Sequence, residues 1–209
     1  KSEISIDSYC KSKTVLTSEY FPSNHNKILI YESDFGETDL NISKESGYDV
    51  FTFKSDDFTY RQKLLINEDG VFVKETYQKM RLLLVISDEG TFTYSEPLPR
   101  IKFPLNSGNH WTWQGKEYDE DETNSISLNA NVEKNEGIKV AAGFYETIKL
   151  VTKITSSAGT NSTITEWFAK DIGLIKMTAL IEGGGIVGTA RDLLGLGEIV
   201  FELKEIRNK

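Results

Sequence analysis

The chain has 209 residues, with 24 Lys and Arg against 32 Asp and Glu, a net charge of −8 and a pI near 5.0. That length suits one large β domain or two small ones and buries a core without disulfide staples. Its 11 Phe, 9 Tyr and 3 Trp argue against disorder, and the acidic balance argues against a general nucleic-acid binder, which needs clustered Lys and Arg.

Residues 1–19 are polar and rich in Ser and Lys, a lead-in or tether. Numbering that opens on Lys1 rather than Met is expected after removal of a leader. Phe21-Pro22-Ser23-Asn24 then leads into Leu29-Ile30-Tyr31. Strands are predicted over 48–54, 58–66, 71–77 and 81–86, where β-branched and aromatic residues recur with period two. Asp56-Asp57, Asn67-Glu68-Asp69-Gly70 and Asp88-Glu89-Gly90 punctuate them as turns, and Asp69-Gly70 makes residues 58–77 a hairpin.

Further on, Phe103-Pro104-Leu105-Asn106 leads into Trp111-Thr112-Trp113, an echo of the first segment at an offset of 103 − 21 = 82 residues. The echo implies two related β halves, 20–96 and 97–209, with Pro97 and Pro99 at the boundary; one continuous domain is the alternative. Ile126, Leu128, Ala130 and Val132 alternate cleanly with polar neighbours, as do Phe144, Ile148, Leu150 and Ile154. Strands over 164–168, 172–181 and 199–203 complete a mainly β, antiparallel chain, each strand greasy on one side. Helix is scarce; 189–194 is its best candidate.

Few residues point to chemistry. Cys10 is the lone cysteine, so neither an internal disulfide nor a multi-cysteine zinc site exists, and a reactive thiol would need His25 or His110 beside it. Two histidines without further ligands make no metal site. Gly183-Gly184-Gly185-Ile186-Val187-Gly188 matches the dinucleotide fingerprint in letters but lacks its βαβ setting, and reads as a connecting loop or flap. The acidic run Glu117 to Glu122 lacks calcium-loop spacing and reads as solvated. Catalytic residues, metals and cofactors are therefore expected to be none. The aliphatic run 82–86 is too short to span a bilayer. Tyr31, Trp111, Trp113 and Trp167 are left either as core or as the lining of a concave site for a hydrophobic guest.

Three segments carry a resemblance: 103–113, with Phe-Pro-Leu and Gly-Asn before Trp111; Val140-Ala141-Ala142-Gly143-Phe144-Tyr145; and Trp167-Phe168-Ala169-Lys170-Asp171-Ile172-Gly173-Leu174-Ile175-Lys176. Their order resembles a group of bacterial envelope proteins, many of them predicted lipoproteins, distantly similar to the curved half-barrels of periplasmic lipoprotein carriers. The resemblance implies an open half-barrel, an envelope address with a lipid anchor as one option, and a non-enzymatic role. The expected partners are a hydrophobic small molecule or another envelope protein, the latter making the chain a structural or interaction module. A carboxylate-dependent hydrolase is the remaining alternative.

Overall fold

The computed structural model describes residues 17–22, 26–82, 86–120, 122–183 and 197–209. A 3-10 turn, Thr17–Tyr20, precedes thirteen strands. The first six are β1 (Lys27–Ser33), β2 (Gly36–Glu45), β3 (Tyr48–Lys54), β4 (Phe58–Asn67), β5 (Gly70–Leu82) and β6 (Ile86–Lys102). The others are β7 (His110–Tyr118), β8 (Thr123–Val132), β9 (Glu136–Val140), β10 (Gly143–Ser156), β11 (Asn161–Ala169), β12 (Gly173–Glu182) and β13 (Ile199–Asn208).

Strands β1 to β8 pair antiparallel in chain order, as do β9 to β13; β8 joins β10, and β13 returns to pair with β1 from Lys27–Asn208 to Ser33–Phe201. The ring so closed has twelve strands. Strand β9 stands beside it: β10 pairs its first residues with β9, its later ones with β8, and its opposite edge with β11. Closure corrects the expected half-barrel. Alternation states which side of each strand is buried, but not that the last strand meets the first. The division at residues 96 and 97 falls inside β6. The echoed segments sit in β1 and β7, six strands apart either way round the ring.

Alternation dictates the wall. Thr38, Leu40 and Ile42 of β2 are buried while Glu37, Asp39 and Asn41 are exposed; Ile126, Leu128, Ala130 and Val132 of β8 are likewise all buried. A charged exterior around an apolar interior is the reverse of a transmembrane barrel. Among the described residues no helix is long and apolar enough to cross a membrane. The interior is packed with Tyr31, Phe53, Phe168, Leu64, Leu150 and Leu203. Phe144 departs from its predicted face: it is 64% exposed and lies over Gly137 of β9, on the part of β10 that runs past β8. Of the strand predicted over 81–86, Arg81 and Leu82 end β5, Ile86 starts β6 and residues 83–85 lie outside the described residues; the turn predicted at Asp88-Glu89-Gly90 is strand. The predicted helix at 189–194 lies outside the described residues.

The predicted turn at Asp69-Gly70 holds. Asn67 Oδ1 accepts the backbone N–H groups of Asp69 and Gly70 at 3.0 and 3.2 Å. A Cβ at Gly70 would run into the Ile101 carbonyl oxygen, whereas one at Gly36 would meet open space. Gly70→Ala should therefore cost about 2–3 kcal/mol in urea denaturation, and Gly36→Ala, which pays the left-handed backbone alone, about 1 kcal/mol.

Candidate functional site

The four aromatics singled out from sequence do not share a face. Tyr31 is fully buried, its hydroxyl donating to the Leu174 carbonyl at 2.8 Å, and burial pushes its phenol pKa up. Trp111 is buried, and its indole N–H donates to the Pro99 carbonyl at 3.0 Å. Trp113 is half-buried, edge-on to Tyr94 with ring centres 6.4 Å apart. Trp167 points outward, donating to Glu136 Oε1 at 2.6 Å, with the ammonium groups of Lys149 and Lys176 at 5.6 and 5.7 Å from its ring.

Inside the barrel stands a polar cluster that the sequence did not announce. The pairing of β5 with β6 matches Val71 to Ile101 and Phe72 to Pro99, so Arg100 is an extra residue on β6. Such a bulge re-aims a side chain, and the Arg100 side chain turns inward. Its guanidinium donates through Nη1 to Gln62 Oε1 of β4 and through Nη2 to Glu166 Oε1 of β11, the latter at 2.5 Å. Glu166 and Gln62 are buried and stand on opposite walls. Gln62 in turn donates to the Tyr60 hydroxyl at 2.9 Å, and Thr76 bonds Tyr94 at 3.2 Å. Burial pushes both tyrosines' pKa values up. The cluster ties two walls of the core together at a fixed distance.

The wall itself is weak at one seam. Strand β7 pairs with β8 along its whole length, but with β6 at Thr93–Tyr118 and Tyr94–Glu117 alone. Beyond these pairs, Pro97 and Pro99 have no N–H to offer. Two side chains span the gap instead: the Trp111 indole bonds Pro99, and Ser95 Oγ accepts the Lys116 backbone N–H at 3.0 Å. Backbone donors alternate along a strand, so Thr112 and Gln114 turn their N–H groups to the same gap as Lys116. A groove of about 330 Å³ opens there, between Leu65 and Phe72 on one side, Pro97 and Pro99 along β6, and Trp113. Glu96 and Lys102 supply its charges. The Trp113 ring lies over Gly115, where any Cβ would collide with it.

At the last pair of the seam, Glu117 is half-buried; burial first, and Asp119 second, raise its pKa to about 7. Further along the acidic run, Asp119 Oδ1 accepts the Glu122 N–H at 2.7 Å, while Asp121 lies outside the described residues. His110 is exposed at the start of β7. Cys10, His25 and the glycine run from Gly184 lie outside the described residues, among which no cluster of ligating side chains could hold a metal.

Residues 109–190, β7 onward, match the DUF3108-like family. That stretch contains two of the three segments that carry the envelope resemblance and part of the third. No curated protein matches the chain. One solved structure it resembles is described as a "putative lipoprotein" from Parabacteroides distasonis ATCC 8503, at 12% identity and a TM-score of 0.43, covering 90% of this chain and 98% of that one.

Two measurements check this geometry. Removing one partner of the buried pair strands the other charge, so Glu166→Leu should cost about 3–5 kcal/mol, and Arg100→Met with Glu166→Leu should recover most of it. Glu117 holds its proton more tightly in the folded state than in the unfolded one. Its effect is neutral below about pH 4.5, and a penalty builds between about 4.5 and 7 and is complete above 7. Glu117→Gln should therefore match the parent at pH 4.5 and exceed it above pH 7 by about 1–2 kcal/mol, solvent at the barrel mouth screening the rest.

Proposed function

We propose that the protein is a non-catalytic interaction module of the bacterial envelope that docks an extended segment of another envelope protein along the β6–β7 seam. The observation that carries this reading is the ladder gap. Thr112 and Gln114 present backbone donors beside an apolar groove, on the side of β7 where it shares two residue pairs with β6 among the described residues. An extended chain satisfies such an edge through its own backbone, while pockets beside it select alternate side chains. Leu65, Phe72, Pro97 and Trp113 offer that selection, and Trp113 is the anchor type that dominates binding energy at interfaces.

Support for the envelope address comes from the resemblance of segments 103–113, 140–147 and 167–176. Against an open cup for a hydrophobic guest stands the packed interior, where the space beside Phe21 and Leu174 measures about 20 Å³. A photoreactive side chain at Leu65, expressed in the native cell envelope, should give one discrete adduct that Trp113→Ala reduces at least tenfold. The same group at Lys204, on β13, should give none. Equal labelling from both positions, or adducts indifferent to Trp113, would contradict the reading.

A further inference from the structure

A second apolar site lies inside the barrel, and the chain fills it with its own residue. The segment Thr17–Pro22 belongs to no strand, yet Phe21 is 4% exposed. Its ring centre lies 4.7 Å from that of Phe51 on β3 and 6.0 Å from that of Phe168 on β11, with the Arg100 guanidinium 5.3 Å above it. One ring thus bridges opposite walls, where strand residues would ordinarily meet each other. Beside it sits the 20 Å³ void, lined by Leu29, Leu40, Ile42 and Leu174, with room for about one water.

The ties that keep the segment in place lie at its edge. The Asp171 N–H donates to the Glu19 carbonyl at 2.7 Å, and Lys170 pairs with the Glu19 carboxylate at 2.8 Å, both at the surface turn between β11 and β12. Arg100 spends two of its five N–H donors on Gln62 and Glu166, and the cation sits against an aromatic face, a favourable arrangement for any π-system placed there.

We infer that the space between Phe51, Phe168 and Arg100 is a binding site for an aromatic acid, which Phe21 occupies as an internal competitor. The apolar walls take the ring, and the unspent guanidinium donors take the acidic substituent. Occupation by Phe21 lowers apparent affinity in proportion to the fraction of molecules with the site open. This site is separate from the groove at the seam and stands or falls independently of it.

The test uses the full chain and the fluorescent probe 1-anilinonaphthalene-8-sulfonate, titrated at native pH with thermal melts recorded in parallel. The parent should bind one probe weakly, and Phe21→Ala should bind one probe at least tenfold more tightly while still melting cooperatively. Phe21→Leu, which keeps most of the plug and guards against loss of fold in the alanine variant, should fall between them. Affinity unchanged in both variants would overturn the proposal. So would binding that disappears in Trp113→Ala, which would place the probe in the seam groove.

Discussion

The pairing of β13 with β1 is the constraint on which the rest of this structure depends. Seven residues of the first strand find their partners in the last, and with the β10–β11 pairing this gives every strand of the twelve-strand ring a neighbour on both sides. A closed wall fixes the volume inside it. That volume must then be filled by inward side chains, and here Tyr31, Phe53, Phe168 and their neighbours fill it almost completely. Where a polar residue is sent inside, it needs partners within reach. Arg100 meets that demand by joining Gln62 and Glu166 across the core, an arrangement that costs heavily if half of it is removed and little if both halves are replaced by apolar groups.

Closure also decides where recognition can occur. A barrel hydrogen-bonded all round offers a partner no backbone to grip. At the β6–β7 seam, Pro97 and Pro99 withhold donors, Ser95 and Trp111 patch the gap with side chains, and a groove lies alongside. The defect is thus written in residue types that cannot complete a ladder. The same part of β6 carries the bulge that sends Arg100 inward, so one irregular strand shapes both the groove outside and the polar tie inside.

Much of the wall was legible from alternation and turn chemistry. The buried face of β8, the limits of β3, and the Asp69-Gly70 turn follow from local rules, because each depends on neighbours a few residues apart. Strand β6 was not legible: Asp88-Glu89-Gly90 reads as a turn and Pro97 and Pro99 read as breakers, yet β5 pairs with Ile86–Thr93 and again with Leu98 and Pro99, the register skipping Tyr94–Pro97. Closure was hidden because Lys27 and Asn208 share no local signal. Arg100 was hidden for a different reason. A bulge shifts the parity of every residue after it, so period two alone places that side chain wrongly. Trp113 stood among the aromatics the sequence singled out, but its place at a seam depends on what β6 fails to provide.

Amide hydrogen exchange across β7 tests the account most directly. Donors of Trp111 and Trp113 face the continuous β8 ladder, while those of Thr112 and Gln114 face the gap. The account predicts that Thr112 and Gln114 exchange at least a hundredfold faster than Trp111 and Trp113, on a background of slow exchange in β1 and β13. Equal protection along β7, or fast exchange throughout β1 and β13, would contradict a closed barrel with an open seam at β6–β7.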